Sequence, residues 1–186
     1  MNNIQHTLNS DRPGWYALYT KFRHEFKVKE MLMAKDFNIF LPMTEVVRQW
    51  WDRKKRIQVP LFYCYIFVHC LMDKRAYYEI LNTRGVVKVV GNQWPNLSRI
   101  PDHQIESINI ALNSRLHVNV LNELKKGDII QIKSGALSGV QGVLVKKNQD
   151  KSSLVISIDC MNRSLEVEVD CNNIKIDKVF KIKNCC

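Results

Sequence analysis

The most hydrophobic stretch of the chain runs from Pro60 to Cys70, eleven residues without a formal charge. It is rich in aromatic and β-branched types and too short to span a bilayer, which predicts a buried central strand. Alternation along it puts Tyr65 and Phe67 on one face and Phe62 on the other, with Cys64 and Cys70 sharing a side. Upstream, Pro13-Gly14 opens a strand at Trp15-Tyr16-Ala17-Leu18-Tyr19. Arg23 to Asp36 predicts a helix, with Val28, Met31 and Leu32 at i, i+3 and i+4 on its core face. Asn38 to Trp50 alternates as a second strand. Asp52 to Lys55 turns the chain, and Ile57 leads back into the central strand, giving a long hairpin.

Asp73 is suited to cap a short helix whose Ala76, Tyr77, Ile80 and Leu81 form one apolar face. Thr83-Arg84-Gly85 turns into a strand at Val86–Val90, and Pro101 to Asn113 predicts a third helix with Ile105, Ile108 and Leu112 inward. Helices alternating with hairpin-joined strands imply an α+β fold with a mainly antiparallel sheet flanked by helices. After about Ser114 the pattern changes to short strands at Ile129–Lys133, Val143–Lys147, Leu154–Ile158 and Leu165–Val169. Period-two alternation at Leu154/Ile156/Ile158 and Leu165/Val167/Val169 surrounds a turn at Met161–Arg163, which indicates a small β-barrel. The expected organisation is a domain at 13–113, a linker at 114–122 and a barrel domain at 123–178.

Composition narrows the function. At 186 residues and 46% apolar content the chain is an ordinary globular protein, but its net charge of +10 suits a polyanionic partner, most simply DNA or RNA. Residues 1–119 hold 17 basic against 10 acidic residues, a balance of +7, and leave +3 for the rest. The sharpest cluster is Arg53-Lys54-Lys55-Arg56, beside Trp50-Trp51. A charged tip keeps a hairpin soluble and blocks edge pairing, yet four cations next to two tryptophans exceed that need and suggest nucleic-acid contact. Six cysteines show neither CxxC spacing nor histidine partners, so no metal site and no disulfide framework is expected. Met1 to Asp11 is polar and unlike a secretory leader, so a cytoplasmic protein without membrane contact is expected. A phosphate loop and a nucleophile–base pair are both missing from the motifs, and His69 reads as a satisfied histidine at the strand end; neither an enzyme nor a bound cofactor is expected.

Four segments in order resemble the NusG family of transcription elongation factors: Trp15–Lys21, Pro60–Val68, Asn82–Val86, and Gly127-Asp128 with the glycine-rich turn to Gly142. The resemblance spans about Gly14 to Lys178 and implies an N-terminal NGN-type domain followed by a KOW-type barrel. The opening strand and the Thr83-Arg84-Gly85 turn are most similar to specialised paralogues, namely RfaH, LoaP and above all the UpxY antiterminators of capsular polysaccharide operons. The family usually carries Pro-Gly before the central tyrosine, where this chain has Tyr63-Cys64.

What the resemblance implies is binding to RNA polymerase at the clamp helices of its largest subunit, through Tyr19, Phe62, Tyr65 and Phe67, with Trp15 beside them as core. It further implies contact with the non-template DNA of the elongation complex through Lys21, Arg23, Lys27 and Arg84, with Arg53, Lys54, Lys55 and Arg56 toward nucleic acid or the opposite polymerase lobe. Pausing and termination would be suppressed on particular operons. The barrel resembles a module that recruits ribosomal protein S10, while its turn Ser134–Gly139 lacks the family's aromatic-bearing loop, which argues against Rho. The alternative is a ribosomal or RNA-binding KOW protein.

Overall fold

The computed structural model describes residues 12–51, 53–114, 116, 118–121, 129–146, 152–158, 161–169 and 176–180. The chain divides into two compact units, the first ending at Pro101 and the second beginning at Asp102.

The first unit is built on a four-stranded antiparallel sheet of order β2-β5-β1-β6, formed by β1 (Gly14–Thr20), β2 (Asn38–Phe40), β5 (Tyr65–Cys70) and β6 (Val86–Val89). A separate two-stranded hairpin joins β3 (Met43–Gln49) to β4 (Lys54–Pro60). Helices α1 (Glu25–Met33) and α2 (Lys74–Leu81) complete the unit. One sheet face supplies Tyr16, Leu18, Ile66 and Val68, which pack with Val28 and Leu32 of α1 and Ile80 of α2 into the principal core. Alternation in β1 and β5 produces this layer, because their even-numbered apolar residues all point to one side. Helix α2 begins as expected: the Asp73 carboxylate accepts a 2.7 Å hydrogen bond from Ala76 N, a cap worth about 1 kcal/mol.

The long apolar run does not form one strand. Pro60 ends β4, residues 61–64 turn, and β5 begins only at Tyr65. Cys64 stands at φ 65°, a left-handed conformation incompatible with a continuous strand. The turn resets the parity of alternation, so Phe62 packs edge-on against Phe67 at 6.2 Å between centroids rather than facing away from it. It also removes Cys64 from the strand that carries Cys70. The upstream strand is likewise divided, with Leu41-Pro42 separating β2 from β3 and Pro42 O accepting from Leu61 N at 2.8 Å. Asp52, at the expected hairpin turn, lies outside the described residues.

The second unit contains α3 (Asp102–Asn113) and a six-stranded antiparallel sheet of order β12-β8-β9-β10-β11-β7. Its strands are β7 (Val118–Leu121), β8 (Ile129–Ile132), β9 (Gln141–Lys146), β10 (Ser152–Ile158), β11 (Arg163–Val169) and β12 (Ile176–Phe180). β10 and β11 pair with Ile156 opposite Leu165 and Leu154 opposite Val167, the four buried residues whose alternation predicts the hairpin. The expected barrel is thus represented by an all-antiparallel sheet. Two boundaries differ from the sequence pattern. Val118–Leu121, inside the expected linker, pairs with β11 from Val167 to Ser164. Helix α3 contacts β9 and β10, and its Ser107 Oγ accepts from Gln141 N at 3.1 Å, so it belongs with the second unit by contact. Four residues are too few for periodicity to reveal, and a helix's amphipathic face does not say which sheet will cover it.

Candidate polymerase and nucleic-acid surfaces

The other face of the first sheet is aromatic. Register across β1 and β5 sets Trp15 beside His69, Ala17 beside Phe67 and Tyr19 beside Tyr65, and β2 adds Phe40 beside Phe67. Rings then contact in series: Trp15 to His69 at 5.0 Å, Trp15 to Phe40 at 6.2 Å and Phe40 to Phe67 at 6.0 Å. Of the four residues expected at a polymerase-binding surface, Phe62 and Phe67 are 3% and 0% exposed. They form a floor and offer no direct contact surface. Tyr19 and Tyr65 are half-buried, and their rings meet edge-to-face at 5.3 Å. Such a pair contributes about 0.5–1.5 kcal/mol beyond its burial and leaves ring area available at the sheet end.

Beyond this pair lies an exposed aromatic extension that the sequence pattern does not announce. Phe22 and Tyr63, 60% and 50% exposed, lie 6.4 Å apart between centroids, and the Arg23 guanidinium sits 5.3 Å over the Phe22 ring. The available signal was an aromatic between two cations, Lys21-Phe22-Arg23, in a segment without apolar periodicity.

Four expected nucleic-acid residues are drawn toward one another by two turns. Lys21 N donates to Gly85 O at 2.8 Å, so the turn leading into α1 rests against the turn that carries Arg84. Gly85 has φ +104°, and a Cβ there would meet Val28 Cγ2 at 2.9 Å and His24 Cβ at 3.2 Å. Glycine therefore lets the second turn approach α1 closely. Lys21, Arg23, Lys27 and Arg84 are all exposed around this junction. Arg23 itself adopts φ 61° in the bend before the helix.

Arg53, Lys54, Lys55 and Arg56 belong to the β3–β4 hairpin. They do not form a single cluster. Register opposes Val47 to Arg56, Arg48 to Lys55 and Gln49 to Lys54, so the pleat sends Lys54 and Arg56 to one face and Lys55 to the other. Arg56 forms an exposed ion pair with Glu45 at 3.3 Å.

Both described cysteines are free. Burial pushes the Cys70 thiol up to about 11, and Asp73 adds to the effect. Burial, with Glu25 next, also raises Cys64, against a hydrogen bond from Tyr19 that lowers it. Raised thiols are poor nucleophiles at neutral pH, which fits packing roles. Among the described residues, no group of three or more His, Cys, Asp or Glu could hold a metal ion, and no helix is long and apolar enough to cross a membrane.

These features define a two-unit α+β protein with a basic, aromatic sheet end. The family model described as transcription termination factor NusG matches residues 13–109, just over half of the chain, and the protein belongs to the NusG family. Members of that family are transcription factors that act with RNA polymerase. The transcription termination/antitermination protein NusG of Streptococcus pyogenes is 28% identical over 173 residues, covering 87% of this chain and 96% of its own length. That of Staphylococcus carnosus is 25% identical over 171 residues, covering 87% and 94%. A solved structure showing domain interaction in Thermotoga maritima NusG superimposes with a TM-score of 0.51 at 20% identity, covering 91% of this chain and 98% of that one, a likeness of fold.

Proposed function

We propose that this protein is a specialised NusG-type antiterminator, similar to the UpxY group, that binds elongating RNA polymerase and suppresses pausing and termination on particular operons, including those for polysaccharide biosynthesis. The half-buried Tyr19–Tyr65 ring pair carries the reading, because it offers aromatic surface where an apolar helix tip such as the polymerase clamp helices can dock. Phe62 and Phe67 support that pair from below. Lys21, Arg23, Lys27 and Arg84 contact the non-template DNA strand, and the exposed Arg84 is suited to bidentate contact with phosphate or guanine. The β3–β4 hairpin, through Arg53 and Lys55, adds a second nucleic-acid surface.

The mechanism needs no chemical step. A factor that binds the closed, elongating polymerase more tightly than the paused one shifts the population toward elongation. The second unit serves as a recruitment module, with ribosomal protein S10 as its partner, and the protein acts in the cytoplasm.

Binding of the full chain to reconstituted elongation complexes tests this. Tyr65→Ala is expected to abolish binding on every template, whereas Arg84→Ala weakens it only on certain non-template sequences. A wild-type protein that ignored polymerase and bound naked RNA would make it a ribosomal or RNA-binding KOW protein instead.

A further inference from the structure

The β3–β4 hairpin has two chemically different faces. Cross-strand register puts Glu45 opposite Gln58, Val47 opposite Arg56 and Gln49 opposite Lys54 on one of them. On the other, Val46 opposes Ile57 and Arg48 opposes Lys55. One step further along this second face, Trp50 N donates to Arg53 O at 2.8 Å, bringing the tryptophan and the arginine opposite each other. Toward the tip, the second face therefore gathers Arg48, Arg53 and Lys55 around Trp50, all exposed. Among the described hairpin residues the acid is Glu45, and it lies on the first face, paired with Arg56.

We infer that the Arg48/Trp50/Arg53/Lys55 face is a binding surface for single-stranded DNA, in which the Trp50 indole stacks on an unpaired base while the cations contact adjacent phosphates. The inference deepens the nucleic-acid reading of the hairpin proposed above. It adds Arg48 and Trp50, and it leaves Lys54 and Arg56, on the first face, outside the contact surface. Charge complementarity selects a polyanion, since Arg48 and Lys55 lie on this face and no described acid shares it. The exposed indole selects an unpaired strand, because a base inside a duplex presents no free π-face to stack on. Stacking combined with phosphate contact is tolerant of sequence, so this surface supplies affinity and leaves sequence selection elsewhere.

The test titrates the full-length protein, without polymerase, with short oligodeoxythymidine, following tryptophan fluorescence and anisotropy over a range of salt. Binding is expected to quench the fluorescence, and Trp50→Ala to remove most of the quench and weaken binding at least about fivefold. Replacing Arg48 and Lys55 together by Gln lowers the magnitude of the salt slope by about 1.4, at about 0.7 per phosphate contact on a single strand. Arg56→Gln, on the opposite face, leaves both slope and quench unchanged. Equal effects of Arg56→Gln and Lys55→Gln would overturn the two-face assignment. Duplex binding as tight as single-strand binding, without quench, would overturn the stacking. Arg84→Ala serves as the separating control: a tip-dependent quench that survives it stands whether or not the polymerase reading does. All these side chains are exposed, so circular dichroism of each variant is expected to match wild type.

Discussion

Glu25 Oε1 accepts a 2.8 Å hydrogen bond from Cys64 N, joining the first turn of α1 to the turn that divides the most apolar run of the chain. Glu25 is 2% exposed, and Cys64 O in turn accepts from Thr20 N at 2.8 Å. The turn at residues 61–64 is thereby held from both the helix and β1. Glu25→Ala leaves a partly buried N–H without this acceptor, at a cost of about 1–3 kcal/mol, whereas Glu25→Gln retains an acceptor oxygen and costs less. Denaturant unfolding of the two variants measures the difference.

Cys64 occupies a left-handed conformation that costs a non-glycine residue roughly 1–2 kcal/mol. Cys64→Gly is expected to raise stability by about 0.5–1 kcal/mol after the entropy of glycine in the unfolded chain is subtracted. A lower denaturation midpoint would show that the thiol's packing outweighs the relieved strain.

Gly85→Ala combines a positive φ with a Cβ pressed on Val28 and His24. It should cost about 1–3 kcal/mol. It also moves the turn bearing Arg84 away from Lys21, so binding to elongation complexes falls even under conditions where the variant remains folded.

Phe67 and Tyr65 lie two residues apart yet answer different questions. Phe67→Ala empties a fully buried site and should cost about 3–5 kcal/mol of stability. Tyr65→Ala acts on a half-buried ring, so thermal unfolding shifts less while polymerase binding is lost. Equal stability losses would mean that Tyr65 is core rather than contact.

Cys70 has its folded pKa raised from 9.0 to about 11, so the native state holds this proton more tightly than the unfolded chain does. The resulting stability is fully present below pH 9 and is lost as pH rises through about 11. The Tyr16 phenol, raised by burial against the opposing charge of Arg99, adds a loss of the same sign above pH 10. Urea midpoints measured from pH 8 to 11 are expected to fall, and less steeply in Cys70→Ala.

Much of the local structure was legible from residue order. β1, α1, α2 with its Asp73 cap, β6 and the β10–β11 hairpin follow from apolar periodicity and capping chemistry, and the basic tip follows from charge. Register decided the rest. No local rule marks Cys64 as the left-handed residue that breaks the apolar run, since the hydrogen bond holding it there comes from Glu25, distant in sequence. The same turn buries Phe62 on Phe67 and leaves Tyr19 and Tyr65 as the available ring pair.

The sequence by itself determined the kinds of element, the excess of positive charge and the family resemblance, because periodicity, net charge and motif order are properties of neighbours along the chain. Only the tertiary structure decided which aromatics are floor and which are surface, how four consecutive cations divide between two faces, and which sheet α3 covers. Those outcomes depend on strand pairing and on turns fixed by distant partners, and a shift of one residue exchanges the two faces of a strand.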